Sequence, residues 1–260
     1  MLRLCSLYSG SSGNCILVED GHTRILVDCG VSGKKIEQAL SSCGIDIKSV
    51  NAVLVTHEHS DHVQSVGIVH RKSGAEIFAN EGTFGAFENT IGRYDESAIT
   101  IFDGKFAVGD IEVTPFSIPH DAKDPVGYSF SDGIKKVSVC TDIGYVTDEV
   151  RKNVLGSEIT LIEANHDVEM LKSGPYPYVL KKRILSDKGH LSNENAGMLC
   201  KMLVENGSRD IILGHLSQHN NHPDLAYVTV KSILQENGIK ISDCCLSVAS
   251  REFPGEMHIC

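Results

Sequence analysis

The sequence predicts a mixed α/β domain in which two half-sheets are sandwiched between helices. Three observations carry this. Strand and helix patterns mix along the whole chain, with strands concentrated in the first and middle thirds. The 260 residues are 41% hydrophobic and 22% charged, the balance of a chain that buries a core, with room for one domain over residues 1–260. No internal repeat, low-complexity tract or Pro-rich linker divides it.

The elements follow in order. Leu2–Tyr8 reads as a strand and leads into a small-residue loop, Ser9-Gly10-Ser11-Ser12-Gly13-Asn14. Cys15–Glu19 and Thr23–Asp28 are expected to form a hairpin around Asp20-Gly21. Lys34–Cys43 has helical spacing in Ile36, Ala39, Leu40 and Cys43. Ala52–Val55 is a short buried strand running directly into Thr56-His57-Glu58-His59-Ser60-Asp61-His62. A helix is expected near Val63–Lys72, a strand near Glu76–Ala79 and a helix near Gly82–Glu88. Strands follow near Ile99–Phe102, Ile111–Ser117, Gly127–Ser131 and Val137–Thr141, then a helix near Asp148–Val154 and a strand near Thr160–Ala164. In the last third, helical patterns at Tyr178–Leu185, Asn193–Glu205 and Leu225–Glu236 are separated by strands near Asp210–Leu213 and Cys245–Val248. The adjacent Cys244 and Cys245 read as buried strand residues rather than a redox pair.

Composition excludes several function classes. The net charge of −10 opposes polyanion binding through the bulk field, so a nucleic-acid partner needs a locally positive site. Nine cysteines without a C-x-x-C pair point to a reducing, cytoplasmic compartment. No apolar run approaches the roughly 18 residues of a membrane span, and Met1–Ser6 does not open a signal peptide, so no membrane association is expected. No phosphate-binding G-x-x-x-x-G-K loop, dinucleotide G-x-G-x-x-G or G-x-S-x-G elbow is present.

The twelve histidines carry the information. His57, His59, Asp61 and His62 form H-x-H-x-D-H straight after a buried strand. Four metal-capable side chains within six residues need only one short loop to converge on a point. Further ligands then belong at the ends of other strands. His120 follows Phe116-Ser117-Ile118-Pro119, Asp142 ends Val137–Thr141, and His215 follows Ile211-Ile212-Leu213-Gly214. Seven ligands exceed one tetrahedral ion. They suit two divalent ions sharing Asp142, with His57, His59 and His120 on one and Asp61, His62 and His215 on the other. Imidazole and carboxylate together allow Zn or Mn.

This ordered set, with Asp28 ending an early strand, resembles the five-motif signature of the metallo-β-lactamase superfamily across nearly the whole chain. The resemblance implies the αββα sandwich, two mixed β-sheets flanked by helices, and a role for Asp28 behind the ligands. Leu161-Ile162-Glu163-Ala164-Asn165-His166 and Lys188-Gly189-His190-Leu191-Ser192 resemble elements of tRNA 3′-processing nucleases, whose Glu and His pair near the scissile phosphate. The opening loop, His120-Asp121-Ala122 and Gly214-His215-Leu216-Ser217 resemble the YycJ/WalJ family of bacterial proteins, which implies 5′-to-3′ DNA exonuclease activity. The spacings from His120 to Asp142 and from Asp142 to His215 leave no room for a long tRNA-gripping arm or an inserted β-CASP domain.

The expectation is a dinuclear hydrolase of nucleic-acid phosphodiesters. Asp61 orients the nucleophile, and His190, held by Glu163, donates a proton to a phosphate or leaving oxygen. Substrate contacts are expected from Ser9, Ser11, Ser12 and Asn14 as a backbone anion nest, from Lys181, Lys182 and Arg183, and from His219, Asn220 and Asn221. The rivals are a hydrolase of another ester class, a di-iron redox enzyme and a non-catalytic metal-stabilised binding protein. The carboxylate that di-iron enzymes carry in place of His59 is missing here.

Overall fold

The computed structural model describes residues 1–260. Two seven-stranded mixed sheets lie face to face. The first contains β1 (Arg3–Tyr8), β2 (Cys15–Glu19), β3 (Arg24–Val27), β4 (Ala52–Leu54), β5 (Glu76–Ala79) and β6 (Ile99–Ile101) in sequence order. The second contains β7 (Phe106–Val108), β8 (Ile111–Ser117), β9 (Val126–Ser131), β10 (Lys136–Cys140), β11 (Ile159–Glu163), β12 (Asp210–Gly214) and β13 (Cys245–Val248), also in order. The last strand, β14 (His258–Ile259), returns to pair with β1 at the edge of the first sheet. Each half begins with antiparallel hairpins and ends with parallel strands joined by crossovers.

The helices cover the outer faces: α1 (Gly33–Ser42), α2 (Ser60–Val63), α3 (Val66–Ser73) and α4 (Glu81–Phe87) in the first half. In the second half they are α5 (Asp148–Val154), α6 (Val168–Ser173), α7 (Tyr178–Ile184), α8 (Asn193–Glu205) and α9 (Pro223–Glu236). Side-chain alternation sorts the core into layers. Leu4, Val18, Ile25, Val27 and Leu54 meet Val113, Tyr128, Phe130, Val139 and Leu161 between the sheets. On the outer faces, Cys5, Leu17, Leu26 and Val53 pack under Ile36, Leu40 and Val69, while Ile162, Ile211 and Leu213 pack under Val150, Leu199 and Val230. Central strands buried on both faces explain the near-continuous apolar runs in the sequence.

Differences from the sequence reading are local. The helix expected over Val63–Lys72 is broken at Gln64–Ser65, where the Ser65 N–H donates to the Cys29 carbonyl at 2.8 Å. Short β7, β14 and α6 carry too few residues for a periodic signal. Cys245 is exposed at the start of the edge strand β13, whereas Cys244 is buried, and all nine cysteines are free. No helix is long and apolar enough to cross a membrane.

Candidate metal centre

The chain ends of β3, β4, β8, β10, β11 and β12 open at one end of the sandwich and deliver Asp28, His57–His62, His120, Asp142, Glu163 and His215 there. Only three non-glycine residues have positive φ: Asp28 (61°), Asp142 (60°) and His215 (53°). Left-handed backbone is disfavoured for side chains with a Cβ, so each strand terminates in a turn held by its surroundings. At His215 the hold is visible: its N–H donates to Ser9 Oγ at 2.8 Å, and Asn165 Nδ2 donates to its carbonyl at 2.9 Å. The H-x-H-x-D-H loop lies directly on Gly30. A Cβ there would fall 1.5 Å from the Asp61 carbonyl oxygen, so that approach needs glycine.

Ligand atoms of His57, His59 and His120 lie within 4.8 Å of one another, as do those of Asp61, His62 and His215. Asp142 stands between the two groups. Its Oδ2 is 3.4 Å from His62 Nε2, and its Oδ1 is 3.0 Å from His215 Nδ1 and 3.9 Å from His120 Nε2. His57 Nε2, His120 Nε2, His215 Nε2 and Asp142 Oδ2 are buried without a hydrogen-bond partner. Orphaned buried polar atoms cost roughly 1–3 kcal/mol each, so a converging set of them fits a cation as the common partner.

The atoms behind the ligands set which nitrogen faces inward. Asp28, buried, accepts from Thr56 N at 2.9 Å, from Thr56 Oγ1 at 2.8 Å and from His62 Nδ1 at 2.7 Å. His120 Nδ1 is satisfied by the Gly189 carbonyl at 3.2 Å. Both arrangements leave Nε2 pointing into the cluster. Burial pushes His57 and His120 below the ordinary imidazole range. Burial also opposes charge on His215, but Asp142 and Glu163 outweigh it and push its pKa up to about 10. Burial would raise Asp142, yet His215 and His62 hold its carboxyl well below the carboxylate range.

Glu163 is fully buried. Its Oε2 accepts from Ile143 N at 2.8 Å and Leu191 N at 3.0 Å, while its Oε1 meets His190 Nδ1 at 2.8 Å. Burial would raise its pKa, but His190 leads the effects that bring it down to about 2. Glu163 thus cannot reach a substrate; it positions His190, which is partly exposed in the cleft wall 3.8 Å from Asp142.

A cavity of about 220 Å³ opens over the cluster. Its floor is His59, Asp61, His120, Asp142 and His215, and Tyr176, Leu180 and Ile184 form an apolar wall. Ser11 and Arg183 line it, with Arg183 paired to Asp121 at 2.5 and 3.0 Å. Ser12 is exposed on the same loop as Ser11 and His219 is exposed against Tyr176, with rings 5.8 Å apart. Other expected contacts turn elsewhere. Ser9 is buried and occupied by His215 N–H, and Asn14 lies beneath the loop with Nδ2 3.1 Å from His62 Nε2. Asn221 is buried, donating to the carbonyls of Ala164 and Asn165, and Asn220 is buried against Ser217. Lys181 and Lys182 line a separate surface groove with Lys172 and Tyr178. The cleft residues Asn165 and Ser217 lie in strings that carry the resemblance but had no role assigned, while Tyr176, Leu180 and Ile184 had no sequence signal beyond helical spacing.

Comparison with known proteins decides the family. The family described as the beta-lactamase superfamily domain matches residues 23–215. The chain belongs to the beta-lactamase superfamily. Among superfamily relatives, the exodeoxyribonuclease YycJ of Bacillus anthracis is 39% identical over 244 residues, covering 93% of this chain and 92% of its own. The exodeoxyribonuclease WalJ of Streptococcus pneumoniae is 44% identical over 234 residues, covering 88% and 87%. The solved metallo-β-lactamase fold protein YhfI of Bacillus subtilis superposes with a TM-score of 0.73 at 17% identity, over 98% of both chains, which places the fold.

Proposed function

We propose that this chain is a cytoplasmic exodeoxyribonuclease with two divalent ions, Zn or Mn, working from the 5′ end of DNA. The observation that carries it is Asp142 standing between two ligand groups, with His190 held beside it in the cleft wall by Glu163. The names and high coverage of the YycJ and WalJ relatives support the substrate class. His57, His59 and His120 would hold one ion, Asp61, His62 and His215 the other, and Asp142 both. Bound there, such ions supply Lewis acidity to a phosphoryl oxygen and bring the pKa of water into the neutral range.

The chain's own residues do the rest. Asp61, whose side chain is 26% exposed at the cleft floor, accepts a hydrogen bond from the attacking water and orients it. His190 donates a proton to the leaving oxygen from the wall, and the buried Glu163 fixes its ring. The apolar face of Tyr176, Leu180 and Ile184 excludes bulk water from one side. The test is a metal-reconstituted digest of end-labelled single- and double-stranded DNA and RNA. Progressive shortening of DNA from its 5′ end, abolished by chelator, is expected. Internal cuts, preference for RNA or absence of turnover would overturn the reading.

A further inference from the structure

A second cavity, of about 250 Å³, adjoins the cleft, because Ser217 lines both. Leu216, Val248 and Ala249 give it an apolar wall, and Ser250 and Arg251 bring polar groups to it. Arg251 Nη1 is buried with no hydrogen-bond partner, and no carboxylate closes an ion pair on this guanidinium. Four other arginines lie against carboxylates, Arg3 and Arg24 sharing Glu19, Arg151 on Asp148 and Arg183 on Asp121, while Arg71 and Arg209 donate to backbone carbonyls. A guanidinium keeps its charge at any ordinary pH and carries five donors in a planar fork, so a half-buried one that lines a cavity with no carboxylate on it suits an oxyanion.

The arginine is also built in. A Cβ on residue 10 would lie 2.4 Å from Arg251 Cγ and 2.7 Å from Cδ, so Gly10 is what lets the stem cross the Ser9–Asn14 loop. Ser250 Oγ accepts the N–H groups of Glu252 and Phe253 at 3.1 and 3.2 Å, closing a turn around Arg251. The Ser250 carbonyl accepts Ser9 N–H at 3.0 Å, and Ser9 Oγ in turn holds His215. Arg251 is thereby fixed to the loop that fixes a candidate metal ligand. Pro223, the first residue of the 14-residue α9, adds the positive end of a helix dipole to the wall. The carboxylate that lines the cavity, Glu252, is exposed.

We propose that Arg251 forms a second phosphate subsite, which holds a phosphate of the bound strand other than the one being cleaved. The proposal rests on the phosphodiesterase reading above. It gives an acidic chain the locally positive spot that a polyanion requires, at a fixed offset from the reacting centre. Bidentate contact from the guanidinium fork suits a phosphate held in register, whether the strand's terminal phosphate or an internal one.

The experiment uses the full, metal-loaded chain with Arg251→Met, which keeps the stem over Gly10 and removes the charge, and Arg251→Lys, which keeps the charge and loses the fork. The substrates are the same labelled strand with a 5′-phosphate and with a 5′-hydroxyl. Arg251→Met should raise KM about 10- to 100-fold with little change in kcat, as loss of a charge-assisted phosphate contact does. It should also flatten the salt dependence by about one contact, a slope change of roughly 0.7 on single strands, and Arg251→Lys should recover part of both. A defect confined to the 5′-phosphorylated strand assigns the subsite to the terminal phosphate; an equal defect on both assigns it to an internal one. Unchanged KM and salt slope on both strands would overturn the subsite and leave the nuclease reading standing. If the wild type cleaves neither strand, the nuclease reading fails instead. Calorimetric titration with inorganic phosphate then decides the site: weaker binding to folded Arg251→Met supports it, and equal binding overturns it.

Discussion

Replacing Asp28 by Asn tests the centre without touching a ligand. Asn fits the same volume and tolerates the left-handed backbone at φ 61°, so the fold is preserved. Its remaining oxygen still accepts from Thr56 N. Its amide, however, now faces His62 Nδ1, where the carboxylate stood at 2.7 Å. To pair with a donor, His62 must carry its proton on Nε2, the atom 3.5 Å from Asp61 and 3.4 Å from Asp142. A protonated Nε2 cannot bind a cation. Disturbing such a partner costs about 10- to 100-fold in metal affinity, or about 1.4–2.8 kcal/mol. Chelator-competition titration should therefore find one ion equivalent weakened by that factor and the other, on His57, His59 and His120, nearly unchanged. Nitrogen chemical shifts of His62 should show the exchanged tautomer. Two equivalents bound at wild-type affinity would refute the argument that Asp28 sets the His62 ring.

Asp142→Ala should weaken both ion equivalents and abolish turnover, which elemental analysis and a cleavage assay on one preparation would show; loss of one equivalent alone would deny the shared position. His190→Ala should retain metal while kcat falls roughly 10²- to 10⁴-fold; if metal is lost as well, His190 belongs among the ligands. In chelator-treated protein, stability should be full above about pH 4.5 and fall as pH drops toward 2, because the buried Glu163 ionises near 2 when folded but near 4.5 when unfolded, so the unfolded chain binds more protons in that window. Thermal midpoints across that range check this, and Glu163→Gln should shallow the decline.

The candidate ligand cluster was legible because each of its side chains follows an apolar strand in a short string, and strand ends of such sheets meet at one edge. The lining of the cleft was less legible for physical reasons. Lys181, Lys182 and Arg183 are consecutive on α7, and about 100° of rotation per residue prevents three neighbours from sharing a face. Arg183 reaches the cleft with Leu180 and Ile184 at helical spacing, while the two lysines do not. Asn14, Asn220 and Asn221 look like loop donors in sequence, but a loop that approaches a buried centre must satisfy backbone groups there, and Asn14 and Asn221 serve that need while Asn220 turns to the Ser217 hydroxyl. Arg251 carries no sequence signal because nothing near it in sequence belongs to the centre; the packing of its stem on Gly10 and the Ser250–Ser9 backbone hydrogen bond join them only in the fold.

The two halves of the sandwich meet at the centre as well as in the core. His57, His59, Asp61 and His62 come from the first half, and His120, Asp142 and His215 from the second, with only Phe102–Lys105 linking β6 to β7. An ion held by both sets would therefore be a rivet across the seam. It would bind only the state that keeps the halves in register, so metal loading and closure of the sandwich would be one linked equilibrium. Stripping the metal should loosen that end of the molecule first, exposing the loops at the seam to proteases while the far end, clasped by β14 against β1, stays shut.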